Sequence, residues 1–261
     1  MSDLLGLFPL GTTLLPGQLL PLHVFEPRYR ELVADLVSGS FAPGAGATGR
    51  GPRFGVVAIR SGSEVGTDAL PRLHGVGCVA ELLEVQQHRD GSSDLVAVGR
   101  ERFQLLGLDA GAGNSYLTGR VSWLEEPLGP TPPGLVAEVR ELFAGYRAAL
   151  TGAGVGLETD KPDADGPDAE RTDSADAGPR PGDSGGPAAS DRLPKDPTVL
   201  SWAVAGSMVL HVGERQALLE DLDAARRLTR LRRLLRRELT LLPVLPSLPA
   251  TDLARQPPDP R

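Results

Sequence analysis

Four histidines, one cysteine, two lysines and one glycine-rich loop are the places where this 261-residue chain could do chemistry. His23, His74, His88 and His211 stand far apart, without the short spacings that gather ligands around zinc. His74 and Cys78 are four residues apart on an expected strand and share a face, yet two ligands do not make a site. Cys78 sits among Val76, Gly77, Val79 and Ala80, the surroundings of a small core residue. Gly44, Gly46 and Gly49 have the G-x-G-x-x-G spacing, but a phosphate cradle needs a strand before it and a helix after it. Pro52 leads into a strand instead. The aspartates after residue 150 do not follow the alternating pattern of a calcium loop. No metal and no cofactor are expected.

Peptide or nucleotide hydrolysis finds no support either. No G-x-x-x-x-G-K-[ST] occurs. Lys161 and Lys195 lie in or beside a segment too polar to build the rigid shell that lowers a lysine pKa. No catalytic residue is expected, and the chain reads as a non-enzyme.

The elements that would carry a binding surface are clearer. Leu7 to Leu10 and Gln18 to Phe25 are short apolar runs separated by Pro16-Gly17, and they read as paired strands, with Pro21 implying an edge or a bulge. Pro27 opens a helix in which Tyr29, Leu32, Val33, Leu36 and Val37 form one stripe, and Gly39 ends it. Strands follow at Arg53 to Arg60, Leu73 to Gln87, Leu95 to Leu108 and Tyr116 to Leu124, with Asp90-Gly91 closing a hairpin. Arg100, Glu101 and Arg102 read as a solvated charged face. Leu135 to Leu150 is amphipathic, and Leu228, Leu231, Leu235, Leu239 and Leu242 make a stripe on a last helix stopped by Pro243 and Pro246.

Between these helices the composition changes. Residues 151 to 197 hold 11 acidic and 5 basic side chains, so this segment carries −6 of the net −7 and the rest is near neutral. Rich in Asp, Gly, Pro and Ser, it cannot bury enough surface to offset chain entropy and reads as a disordered insertion. No apolar run is long enough to span a bilayer, and the start lacks the features of an export signal, which places the chain in the cytoplasm.

LFPL, LLPG and LPLHVFEPRYRELV at the start resemble the opening of the Lon protease N-terminal (substrate-binding) domain family. HGVGCVAELLEV, VGRERFQLL and YLTGRVSWLEE are similar to that family's strands, and LSWAVAG with RQALLE to its helical part. The resemblance implies an α+β fold, a PUA-like small antiparallel β-barrel with a C-terminal helical bundle. On that reading residues 1–134 form the barrel subdomain, 135–150 with 196–243 the helical one, 151–195 the acidic insertion and 244–261 a flexible tail. It also implies binding of exposed or unfolded segments of other proteins, as an adaptor or regulator beside a separate ATP-dependent protease. The alternative is RNA binding by the barrel, with the arginines between Arg226 and Arg237 on phosphates, but a near-neutral fold lacks the basic face this needs. Loops at the barrel mouth are the expected protein-binding surface, with Leu14, Leu15 and Phe41 as candidate apolar anchors.

Overall fold

Residues 3–39, 51–60, 72–109, 113–152 and 193–242 are described by the computed structural model. Six strands come first: β1 (Asp3–Leu10), β2 (Leu19–Val24), β3 (Arg53–Ala58), β4 (Val76–Gln87), β5 (Ser93–Leu108) and β6 (Thr118–Trp123). Helix α1 (Pro27–Ser38) lies between β2 and β3, and α2 (Leu135–Gly152), α3 (Pro197–Ser207), α4 (Val212–Glu220) and α5 (Ala224–Leu241) follow β6. Phe41, Gly44, Gly46 and Gly49, residues 153–192 of the acidic segment, and the tail from Pro243 fall outside the described residues.

The sheet runs β2-β5-β4-β3-β1-β6, and β6 also pairs with β5. The sixteen-residue β5 makes this possible: Ser93 to Val98 bond to β2, while Phe103 to Leu108 bond to β6. Register shifts at Cys78/Ala80, Leu82/Glu84 and Leu105/Gly107 bend the long strands enough for the pairings to return on themselves. Asp90-Gly91 closes the β4–β5 hairpin as expected, with Gly91 at φ 82 and His88 N–H donating to the Ser92 carbonyl.

Two expectations of pairing are corrected. β1 and β2 do not pair with each other, and the sheet is not wholly antiparallel, because β1 runs parallel to β3. The cause is the connection: β2 and α1 together form the crossover that lets β3 return beside β1 in the same direction. At the Pro16-Gly17 turn, Gly17 (φ 80) donates to the Gly99 carbonyl and Gly99 donates to the Gln18 carbonyl, which directs β2 onto β5.

Helix α1 follows its sequence pattern. Pro27 is in the first turn, Gly39 caps the end at φ 73, and Tyr29, Leu32, Val33 and Leu36 are buried. Val37 is the exception at 55% exposure, since eight residues on from Tyr29 the helix has turned that position off the stripe. Tyr29 stacks on Phe8 of β1 with ring centroids 4.0 Å apart. In α5, Asp223 caps the N-terminus by accepting from Arg226 N–H, and Leu228, Leu231 and Leu235 are fully buried.

Apolar burial divides in two. Leu5, Leu7, Val57, Val79, Phe103 and Val121 come from β1, β3, β4, β5 and β6 and form the smaller cluster. The larger cluster joins Phe8, Leu32, Cys78 and Ala97 to Phe143, Trp202, Leu218 and Leu235, so strands and helices share one core.

Within that shared region lies a charged knot. Arg102, expected on a solvated face, is instead 2% exposed at its side chain, while Arg100 and Glu101 do stay near solvent. Its guanidinium binds one oxygen of Glu126 and donates to the carbonyls of Leu219 (2.7 Å), Asp221 (2.8 Å) and Glu125 (3.1 Å). The other Glu126 oxygen accepts from Arg227 at 2.8 Å, and Arg227, wholly buried, donates to Ser201 Oγ and lies 3.4 Å over the Trp202 ring. Burial pushes the Arg227 guanidinium down to about 10, with Glu126 opposing that shift, so it is charged at neutral pH.

Glu126→Ala leaves two buried guanidiniums without their carboxylate and should lower unfolding stability by about 3–5 kcal/mol. Glu138→Ala, which loses partly exposed pairs with Arg232 and Arg236, should lower it by less than about 1 kcal/mol in the same urea titration. Equal losses would mean that the knot is not the stronger tie. Gly99→Ala would set a Cβ 2.2 Å from the Leu15 carbonyl oxygen, so it should cost about 1–3 kcal/mol. An unchanged melting temperature would show that β5 and the turn can separate freely.

Candidate functional site

Of the three expected anchors, Leu14 and Leu15 are core residues, at 3% and 0% exposure, while Phe41 lies outside the described residues. The close approach of Leu15 to Gly99 explains their burial, because it draws the turn down onto β5. Exposed apolar surface has to be sought elsewhere.

The register of three strands provides it. Residues directly opposite in neighbouring strands share a face, so Leu19, Val98 and Glu81 form one row across β2, β5 and β4. Pro21, Val96 and Glu84 form the next, and His23, Asp94 and Gln86 the third. The alternate residues Leu20, Leu22 and Val24 face the core. Leu19 is 60% exposed, and Leu83, in the bulge beside the second row, is 53% exposed. Along its other side β2 has no partner strand among the described elements.

Charge bounds this apolar strip at both ends. At one end Glu81 binds Arg100 at 3.0 Å and Arg53 at 3.2 Å, and Arg53 reaches Glu101 at 3.4 Å. Partial burial raises the Glu81 carboxyl, but the hydrogen bonds and charges of Arg100 and Arg53 outweigh it and hold the group below its ordinary range. At the other end Asp94 accepts from both His23 Nδ1 at 2.6 Å and His88 Nε2 at 2.7 Å. Phe25, 64% exposed, lies with its ring 6.1 Å from that of His23. Beyond His88, a groove of about 580 Å³ runs between α1 and the hairpin turn, lined by Pro27, Arg30, Glu31 and Gly91.

The His23, His88 and Asp94 cluster is what the sequence did not reveal, since His23 and Asp94 are 71 positions apart and only the β2–β5 register joins them. The other histidines and the cysteine do not gather. His74 meets Glu220 at 3.3 Å, His211 precedes α4, and Cys78 is buried with its thiol pushed up by burial. The thiol is therefore protonated and inert at neutral pH. None of the described helices is long and apolar enough to cross a membrane.

Comparisons with known proteins agree with this fold. The chain is similar to the Lon N-terminal domain protein from Xanthomonas campestris, at 22% identity and a TM-score of 0.53, over 87% of this chain and 96% of that one. It is also similar to the N-terminal domain of Mycobacterium avium complex Lon protease, at 17% identity and a TM-score of 0.54, over 91% and 98%. No curated protein sequence matches it. The model of the ATP-dependent protease La (LON) substrate-binding domain matches residues 5–237, and the chain belongs to that family.

Proposed function

We propose that this chain binds exposed apolar segments of other proteins along the β2-β5-β4 outer face, and that it does so without catalysis. The observation that carries this is the strip that starts at Leu19 and Pro21 on the edge strand β2 and crosses Val96 of β5 to Leu83 of β4. An extended segment can lie there, adding main-chain hydrogen bonds where β2 offers them and resting side chains on the strip. The matched family is that of a substrate-binding domain, which supports the same reading. The chain acts on its substrates' behalf as an adaptor or regulator of a separate ATP-dependent protease in the cytoplasm. The strand ring is a small PUA-like barrel over residues 1–134, with 135–150 and 196–243 as its helical companion.

The arginines of α5 support protein over RNA as the ligand. Arg226 pairs with Asp223, Arg230 with Asp221, Arg232 and Arg236 with Glu138, and Arg237 with Glu214 and Glu238, while Arg227 is buried, which leaves Arg233 as the α5 arginine with no ion pair to another described residue. Phosphate binding would have to break these pairs.

The test measures fluorescence anisotropy of a labelled, permanently unfolded casein and of a labelled structured RNA, at about 50 and 200 mM salt. Casein should bind with little salt dependence and should be neither cleaved nor accompanied by ATP hydrolysis. Leu19→Asp with Leu83→Asp should weaken casein binding at least tenfold, while melting shifts by no more than exposed surface substitutions usually cause, about 0.5 kcal/mol. Tight RNA binding with a steep salt slope and no casein binding would overturn the assignment.

A further inference from the structure

We propose that His23, His88 and Asp94 form a binding site for a zinc-class divalent cation at the end of the outer sheet face. The three residues come from separate segments: His23 from β2, His88 from the β4–β5 turn and Asp94 from β5. Asp94 stands directly opposite His23 in the antiparallel register. Its two oxygens are already divided between the imidazoles, Oδ1 toward His23 and Oδ2 toward His88. All three ligand atoms lie within 4.8 Å of one another.

The backbone that holds these side chains is tied down. His88 N–H donates to the Ser92 carbonyl, Gly91 N–H donates to the His88 carbonyl, and Asp90 Oδ1 accepts from both Ser92 N–H and Ser92 Oγ. The turn therefore presents His88 at a fixed place above β5. What remains free is side-chain rotation, because the side chains of His23, His88 and Asp94 are 57%, 36% and 52% exposed.

The donor set selects the cation. Zinc takes imidazole nitrogen and carboxylate oxygen at about 2.0–2.2 Å, and tetrahedral geometry then spaces the ligand atoms roughly 3.3 Å apart. Reaching it needs the His–Asp contacts to loosen slightly and the histidine nitrogens to draw together, both within reach of exposed rotamers. Magnesium and calcium prefer all-oxygen shells, so two imidazoles disfavour them. Coordination replaces two N–H···O bonds by three bonds to the metal, and each ligating nitrogen gives up its proton while the other nitrogen of the same ring carries one, so both rings bind as neutral imidazoles. Three protein ligands leave the fourth position to water, on a surface open to a further donor from a bound segment.

The test uses the full chain. Isothermal titration with zinc chloride in the presence of excess magnesium should give one equivalent bound, and cobalt(II) should give a visible absorption band on binding. His23→Ala, His88→Ala and Asp94→Asn should each weaken zinc at least about tenfold, since even outer-shell partners of metal ligands are worth that much. His74→Gln should leave it unchanged, because His74 pairs with Glu220 away from the cluster. Asp94→Asn keeps the shape of the side chain, so circular dichroism should match the parent and a loss of zinc cannot be laid to unfolding. No zinc uptake by the parent chain, or uptake that all three variants retain, would overturn the site.

Discussion

One carboxylate between two buried guanidiniums determines how the helices sit on the strands. Hydrophobic contact between the sheet and α3, α4 and α5 is extensive but has no direction, so by itself it would tolerate small slides of one layer over the other. Glu126 limits that freedom, beside the bonds by which Gln216 and Arg215 hold α4 to Val76, Thr13 and Gln18. It follows β6, accepts from Arg102 on β5 with one oxygen and from Arg227 on α5 with the other, and so joins three segments at one point. Arg102 adds the carbonyls at the end of α4, and the Trp202 ring of α3 covers Arg227. Two cations against one anion would be unfavourable in an apolar interior without these acceptors and the ring face.

A second constraint acts on the strands alone. β5 serves two partners on one side, β2 with its first half and β6 with its second, and that division is what leaves β2 as an edge. The helices cover the inner face through Leu20, Leu22 and Val24, so the outer residues of β2 are left to solvent. Core packing and the exposed strip are thus two consequences of one register. A slip of one residue would send Leu20 outward and Leu19 inward, exchanging core for surface.

What could be read in the sequence was whatever depends on near neighbours. Proline at the start, glycine at the end and an apolar stripe define α1, and the Asp-Gly hairpin and the leucine stripe of α5 are equally local. Partners distant in sequence could not be read. Nothing near Leu7 to Leu10 tells that Gly55 to Ala58 will lie beside it in parallel, because the crossover through β2 and α1 decides that. Arg102 looked like a surface residue because Arg-Glu-Arg is a polar pattern, whereas its burial depends on a glutamate 24 positions away and a helix more than a hundred away. The outer strip was hidden for the same reason, since Leu19, Val96 and Leu83 become neighbours only through the register.

An edge strand with exposed leucine invites unwanted pairing, and the composition of β2 limits that risk without closing the edge. Pro21 removes one donor midway, so a continuous ladder cannot propagate past it. The Glu81, Arg100 and Arg53 group blocks one end of the strip with paired charge, and the two imidazoles with Asp94 mark the other. A flat strand of another copy would have to strip water from both ends, which charged groups resist. A short apolar segment, two or three side chains long, reaches the leucines while leaving both ends hydrated. On the proposed reading, the same features that disfavour edge-to-edge pairing also favour brief contact with short segments over a stable sheet.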